Sequence, residues 1–436
     1  MTNDSISASR RVSPVGRFQN KKIRMSRVRR PVAVTALAVT LLTGVTAPGV
    51  ASADPEAAAG QDRPELRQAI QDLVDSGFAG VQLRVQDERG QWTGSAGVRQ
   101  LGASAKPRTD GRFRVGSNTK TFVATVVLQL VAAGELGLDA PVADYLPEFG
   151  LNRDITVRML LQHTSGLYDF TRDPGAGPDK PGIPWEGKDW VDNRFHTYQP
   201  QDLVRVALAK GSQFPPGQGW SYTNTNYTLA ALLIEKVTGH SYGVEMQRRL
   251  LWPLGMWGTE VPGARAEIHG PHAHGYYRYE DAPGHWKVVD VTRQNPSSIH
   301  AGGEMISTTE DMRKFFRALH DGTILPAPLL AEMRTPHPLS PGYGLGLFVQ
   351  DGKSASPFPP PSCGVTLYTH NGGVKGYAAL MYSTPDGKKT LTASLTSAGA
   401  AIDEIAAFRN AQQRLVNEVF CDGKTADGAR SAQPTG

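Results

Sequence analysis

Cysteine is nearly missing from this chain: two residues in 436, too few for a cysteine cluster to hold zinc. Long apolar runs are scarce as well. The run at residues 31–45, PVAVTALAVTLLTGV, has about 15 residues, fewer than the roughly 20 needed to cross a bilayer as a helix. Charged residues make up 20% and hydrophobic ones 39%, which excludes a disordered polyelectrolyte. Glycine (47) and proline (31) are plentiful but follow no period, which excludes a collagen-like repeat. The same composition argues against a coiled coil, and no internal repeat is apparent. What remains is a loop-rich globular chain, long enough for two or three compact units.

The formal charge of +5 is unevenly placed. Residues 1–53 hold nine Lys/Arg and one Asp, whereas the remainder holds 37 basic and 40 acidic side chains. The positive charge therefore belongs to the leader, and a nucleic-acid-binding reading loses its main support. Arg24, Arg27, Arg29 and Arg30 precede the apolar run, and Ala51-Ser52-Ala53 offers small residues for cleavage. Together these predict a secretory signal peptide over 1–53, with Met25 as an alternative start. The mature chain is then expected to be secreted, with no stable membrane span. Cys363 and Cys421 fit export, since an oxidising compartment lets them pair; the alternative is two buried free thiols.

Apolar spacing predicts a helix over 64–74 with Pro64 near its first position. A strand through Val81, Leu83 and Val85, a turn at 87–90 and a second strand around Trp92 follow. From Ser117 the period becomes 3.6, with Phe122, Val123, Val126, Val127, Leu130 and Val131 on one face of a helix ending at Gly134. Further helices are expected over 157–162, 201–210 and 225–238, between long Gly/Pro-rich loops. Strand signals return at YGLGLFVQ (343–350), VTLYTH (365–370), YAALMYST (377–384) and TLTASLTS (390–397), with Asp386-Gly387 as a hairpin turn. A last amphipathic helix would turn Ile402, Ile405, Phe408, Leu415, Val419 and Phe420 inward. Strands at both ends with helices between predict an α/β (α+β) fold. Segments 54–134 and 291–421 would form one antiparallel sheet flanked by helices, with a mainly helical insertion over 135–290. Residues 422–436 read as a flexible tail.

Three short patterns carry chemistry. Ser117-Asn118-Thr119-Lys120 is an S-x-x-K at a helix start, where positions three apart share a face and the lysine amine can reach the serine hydroxyl. The helix N-terminus favours the alkoxide formed during attack. Alone, the pattern is about one chance match in a chain this long, and its bland alternative is an N-cap serine followed by a solvated lysine. Tyr222-Thr223-Asn224 precedes the helix over 225–238. A tyrosine hydroxyl near a lysine can have its proton affinity lowered and act as a general base, and Asn224 can hold a substrate amide or the lysine. The bland alternative is an ordinary turn. His370-Asn371-Gly372-Gly373 follows a strand, and its glycines leave backbone N–H groups free for an oxyanion hole. His300-Ala301-Gly302 and His320-Asp321-Gly322 match the same H-x-G pattern but are set aside, being near a helix opened by Thr308 and Asp311 or past its end.

Taken in order on these local structures, the three patterns resemble the penicillin-recognising serine hydrolases of the class C β-lactamase type. The likeness is nearest to the secreted D-alanyl-D-alanine carboxypeptidases and covers roughly 65 to 421. It extends to FRVGSNTKTF, LLQHTSGL, FPPGQGWSYTNTNY, AGGEMISTTEDM and YGLGL. The resemblance implies a sheet domain plus a helical domain with the site between them. It further implies that Ser117 is acylated, that Lys120 assists deprotonation, and that Tyr222 relays protons to the leaving amine and then from water. Asn224 would hold the substrate amide, and His370, where many relatives carry lysine, would bind substrate with Asn371 and Gly372. The backbone amides of Ser117 and Gly373 would form the oxyanion hole. Cell-wall peptide would be the substrate, D-alanine the leaving group and β-lactams inhibitors or substrates, with no metal or organic cofactor. Three positions depart from the pattern. Asn371 and Gly373 stand where hydroxyl residues are usual, and Phe348 stands after the GLGL stretch where relatives that trim peptides often place arginine; Lys375 is a candidate substitute for that charge. Esterases and D-amino-acid amidases share the scaffold. A metal site at His269, His272 and His274 lacks further ligands nearby, and a binding module without turnover is the other rival reading. Trp185, Trp190, Phe195 and Trp220 are candidates for a substrate groove, with core packing expected for most of them.

Overall fold

The structure is a computed structural model that describes residues 62–172, 183–353, 358, 360–399 and 404–421, with side chains from 409 onward in the last stretch. The expected signal peptide, Ile402 and the tail over 422–436 lie outside the described residues, as do the side chains of Ile405 and Phe408. The first half contains α1 (Pro64–Asp75), β1 (Phe78–Asp87), β2 (Gly90–Gly97), β3 (Phe113–Arg114), α2 (Thr119–Ala132), α3 (Val142–Tyr145), α4 (Val157–Gln162), α5 (Gly187–Asn193) and α6 (Pro200–Leu208). It continues with α7 (Asn224–Thr238), α8 (Tyr242–Met246), β4 (Tyr276–Ala282) and β5 (His285–Asp290). Then come β6 (Ile306–Ser307), α9 (Thr309–His320), α10 (Ala327–Met333), β7 (Phe348–Gln350), β8 (Leu367–Thr369), β9 (Gly372–Val374), β10 (Tyr377–Ser383), β11 (Thr390–Ser397) and α11 (Glu404–Phe420).

The alternation that marks β1 as a strand also sets its register. Val81, Leu83 and Val85 pair with Leu395, Ala393 and Leu391 of β11, so the apolar sides of both strands face one way. The sheet is antiparallel in the order β2-β1-β11-β10-β8-β7, with β9 also on β10. N- and C-terminal segments thus meet in one sheet, as expected. Leu66, Ile70 and Leu73 of α1 and Leu415, Val419 and Phe420 of α11 cover one face. A disulfide joins Cys363 to Cys421, tying the approach to β8 to the end of α11.

On the other side of the sheet lies a larger core shared by α2, α7 and α9. The spacing of α2 predicts a single apolar face, but the helix is buried nearly all round, from Thr119 to Leu128. Its polar positions are reconciled with burial by hydrogen bonds: the Thr121 hydroxyl donates to the Gly346 carbonyl (2.7 Å) and that of Thr125 to the Thr121 carbonyl (2.8 Å). Phe122 stacks on Phe315 of α9 with ring centres 3.7 Å apart. Two further differences from the sequence reading have local causes. The strand expected over 343–350 is confined to Phe348–Gln350, because Gly346 adopts φ +87° and Gly344 turns back to accept no strand partner, its N–H donating to Leu347. The region 135–290, read as helices and loops, also contains the β4–β5 hairpin, which turns at Gly284. Among the described residues no helix is long and apolar enough to cross a membrane.

Candidate active site

The chain enters α2 through a tight turn at Gly116–Asn118. Asn118 anchors that turn to the sheet: its amide donates to the carbonyls of Val115 (2.9 Å) and Ala379 in β10 (3.3 Å). Ser117 sits at the head of the helix and is not its cap; its hydroxyl faces Lys120 one turn on. Lys120 is wholly buried, with its Nζ 2.7 Å from Asn224 Oδ1, 2.6 Å from the Gly302 carbonyl oxygen and 3.2 Å from Ser117 Oγ. Two of these partners can only accept, and the third can donate. The nitrogen donates to all three oxygens, and an amine that has lost one proton keeps two donors for the carbonyls and a lone pair facing Ser117 Oγ. Burial lowers the Lys120 pKa to about 7, against a smaller upward pull from the Asp169 carboxylate.

Tyr222 completes this group. It shares a hydrogen bond with Ser117, and Lys120 Nζ lies 4.6 Å from its ring centre. The lowered proton affinity expected for Tyr222 is not found. Loss of water around the hydroxyl pushes its pKa up, further than the bond to Ser117 pulls it down. Burial therefore favours the protonated form of the Tyr222 hydroxyl.

Asn224 begins α7, whose cap is Thr223: the Thr223 hydroxyl accepts from the Thr225 N–H (3.1 Å). The Asn224 amide is fully engaged within the protein. Its oxygen holds Lys120 and its nitrogen donates to Thr171 Oγ1 (3.1 Å) and Asp169 Oδ2 (3.4 Å). It holds the lysine, one of the two roles the sequence allows it. Two of these partners are not marked by the sequence: Asp169 belongs to no motif, and the H-x-G match ending at Gly302 lies near the helix opened by Thr308, with nothing local to signal its carbonyl's contact with Lys120. A Cβ at Gly302 would lie 2.7 Å from Asn224 Oδ1, which keeps this position to glycine.

The third motif divides in two. His370 is buried; its Nδ1 donates to the Asn371 carbonyl (2.9 Å), and its Nε2 accepts from the Tyr343 hydroxyl (3.1 Å). Burial first, and then the nearby Lys120 charge, bring its pKa to about 3, so the ring is neutral. Asn371 is a correction to the sequence reading. Its amide donates to Tyr382 Oη (2.8 Å), and Tyr382 belongs to the core under α11, so this side chain points to the far face of the sheet. Gly372 behaves as expected of a glycine at a close approach, whereas a Cβ on Gly373 would meet open space. A Cβ on Gly372 would fall 1.9 Å from the Val115 oxygen and 2.8 Å from the Ser117 nitrogen, and Gly116, at φ +54°, has the Gly373 nitrogen 2.6 Å from its Cβ position. The backbones of Ser117 and Gly373 are thereby brought side by side, with Gly373 exposed.

His163, within the LLQHTSGL stretch, underlies the site. It is buried at φ +66°, its ring centre 4.4 Å from that of Tyr222, and its Nδ1 accepts from the Thr223 N–H (3.3 Å) and the Asn226 amide (3.2 Å). Burial, Lys120 and His370 all keep it uncharged. Of the aromatic candidates, Trp190 is in a small core with Val191 and Val291, Trp185 and Trp220 are half-buried, and Phe195 is exposed beside Arg194. His274 pairs with Asp290 (2.7 Å) and His272 bonds the Gly270 carbonyl; among the described residues no three metal-binding side chains converge. Ser241, within a G-x-S-x-G match at 239–243, caps α8 by accepting from the Val244 N–H, so it is not a competing nucleophile.

A family model described as Beta-lactamase matches residues 66–415. The penicillin-binding protein 4 of Amycolatopsis lactamdurans is 30% identical over 331 residues, covering 70% of this chain and 77% of that protein. Penicillin-binding protein 4* of Bacillus subtilis is 28% identical over 310 residues, or 68% of this chain, but the match spans only 63% of the relative's length. Among solved structures, a D-stereospecific amidohydrolase from Streptomyces sp. superposes with a TM-score of 0.71 at 37% identity, covering 83% of this chain and 99% of that one.

Proposed function

Because the chain belongs to the Beta-lactamase family, we propose that it is a secreted serine hydrolase that cleaves D-aminoacyl amide bonds through an acyl-enzyme. D-alanyl-D-alanine-type peptides of the cell wall and related D-amino-acid amides form its substrate class. The observation that carries the reading is the set of contacts around Lys120 Nζ: two fixed carbonyl acceptors and the Ser117 hydroxyl. An amine held that way presents its lone pair to Ser117 Oγ. As Oγ bonds to the substrate carbonyl carbon, its proton passes to Lys120. The oxyanion that forms is met by the backbone amides of Ser117 and Gly373. The C–N bond then breaks, Tyr222 gives its hydroxyl proton to the departing nitrogen, and Lys120 restores it. Water repeats the sequence in reverse: it loses a proton toward Tyr222 and Lys120, attacks the ester, and Ser117 recovers its hydrogen. The sum is amide plus water giving acid plus amine.

Support for the D configuration comes from the Streptomyces relative, named as a D-stereospecific amidohydrolase and matched over nearly its whole length. Support for β-lactams as acylating ligands comes from the penicillin-binding relatives. Support for export is the basic, apolar and small-residue order of the leader. The test is mass spectrometry of the protein mixed with a penicillin, beside release of amine from matched D- and L-alanyl amides. A covalent adduct on Ser117 and turnover of the D form are expected. No adduct, or equal turnover of both forms, would refute the reading.

A further inference from the structure

Beyond the side chains that touch Lys120, one buried acid has no part in the chemistry described. Glu304 is 1% exposed, and Tyr242, the first residue of α8, is 4% exposed. The Tyr242 hydroxyl donates to Glu304 Oε1. A carboxyl is rarely drawn so far from water unless it is paired, and its partner here is a neutral hydroxyl. Burial raises the Glu304 pKa to about 8, against the bonds from Tyr242 and the Gly263 N–H, and the Glu235 carboxylate adds to the rise. Because tyrosine is the donor, the bond persists in either charge state of the acid.

The pair braces the turn that supplies one of the two carbonyls on Lys120. The Gly303 N–H (2.9 Å) and the Glu304 N–H (3.0 Å) both donate to the His300 carbonyl, closing a turn in which His300 adopts φ +46°. A residue other than glycine stays in that left-handed region only where its surroundings fix it. The Tyr242 ring meets the His300 ring edge-on with centres 5.1 Å apart, and the Tyr242 N–H is tied to Glu235 Oε1 of α7 (3.1 Å). Met305 fastens the same segment to the head of α2: its N–H donates to Thr119 Oγ1 (3.2 Å) and its carbonyl accepts from the Val115 N–H (3.0 Å). Residues 300–305 are thus held to α2 by Met305 and to α8 by Glu304, and from this segment the Gly302 carbonyl reaches Lys120 Nζ at 2.6 Å. Of the charged groups nearby, the Asp169 carboxylate acts on Lys120, while the His300 ring, its pKa lowered by burial to about 4, stays neutral beside Tyr242.

We propose that Glu304 and Tyr242 are positioning residues for Ser117 acylation: their hydrogen bond ties the His300–Gly302 turn to α8 and so keeps the Gly302 carbonyl on Lys120 Nζ. This rests on the hydrolase reading given above, in which Lys120 takes the serine proton. Releasing the turn frees the carbonyl to swing away. The ammonium then loses an acceptor that it needs more than the neutral amine does, and the lysine loses one of the two oxygens that aim its lone pair.

The experiment follows Ser117 acylation by a penicillin against pH in Tyr242→Phe, Glu304→Leu, the double variant and Glu304→Gln. Phenylalanine keeps the ring on His300 and loses only the hydroxyl, leucine keeps bulk at 304 without an acceptor, and glutamine retains one. Tyr242→Phe and Glu304→Leu should each lower the plateau rate about tenfold and move the midpoint of the profile down by about half a pH unit or more. The double variant should be no slower than the slower single one, and Glu304→Gln should stay within about threefold of the wild type. A pair that only packs α8 would lower thermal stability and leave plateau and midpoint in place. That result, additive losses in the double variant, or a Glu304→Gln protein as slow as Glu304→Leu would overturn the proposal. If Glu304→Leu fails to fold, Tyr242→Phe decides by the same readings. The Lys120 midpoint is also read without turnover, from the NMR shift of its Cε carbon, assigned by its loss in Lys120→Ala. A midpoint that moves in the variants of a protein no penicillin acylates would sink the hydrolase reading alone. Acylation of the wild type, with midpoint and plateau unmoved in the variants, would sink this inference alone.

Discussion

Lys120, beneath Ser117, and Lys375, just past the end of β9, are both lysines that folding has drawn out of water. Burial lowers the proton affinity of each. Around Lys120 every direction has a partner, two carbonyls and one hydroxyl, supplied by α7, the turn at His300–Gly302 and the head of α2. Around Lys375 there are ring faces and a cavity. A lysine held by fixed oxygens has one geometry, whereas one flanked by ring faces keeps its N–H donors open.

The comparison can be broken at several points. Lys120→Ala should lower kcat/KM about 1000-fold while the far-UV circular dichroism spectrum stays native, because the general base is gone. A loss under about tenfold would put Lys120 in a merely structural role. Gly372→Ala should follow with about 100-fold, since the added Cβ must push β9 off the Ser117 backbone and misplace an oxyanion donor. Tyr222→Phe should cost about 100-fold on an amide and less on an activated ester whose leaving group needs no proton. Equal losses on both substrates would contradict the proton-donor role. Asn371→Ala should change kcat/KM less than about twofold and lower stability by about 1 kcal/mol, measured by urea unfolding, because its bond lies under α11 and not in the cleft.

Much of this was readable from the residues. The S-x-x-K spacing placed serine and lysine on one helical face, and the alternation in β1 and β11 gave a sheet built from both ends of the chain. The parts that were not readable depend on contacts distant in sequence. That α2 is buried on all sides follows from its passage between the sheet-side core and α7, which no local period expresses. Asn371 reads as a substrate ligand only through the motif it belongs to, and its contact with Tyr382 of β10, distant in sequence, places it elsewhere. The Gly302 carbonyl has no side chain to announce it. The expected disulfide between Cys363 and Cys421 was legible for the opposite reason: with only two cysteines, there was a single way to pair them.

The most direct test of the central claim is the pH dependence of Ser117 acylation by a penicillin, followed by rapid quench and intact mass between pH 5 and pH 9. Burial holds the His163 and His370 rings below this range and the Tyr222 hydroxyl above it, so among the groups in contact with Ser117 and Lys120 it is the lysine that titrates within the range. Only the unprotonated amine accepts the serine proton, so the rate should rise with pH, reach half its plateau near pH 7 and fall about tenfold per unit below that. A rate that is flat from pH 5 to pH 9, with Ser117 still the acylated residue, would contradict a buried neutral lysine as the base.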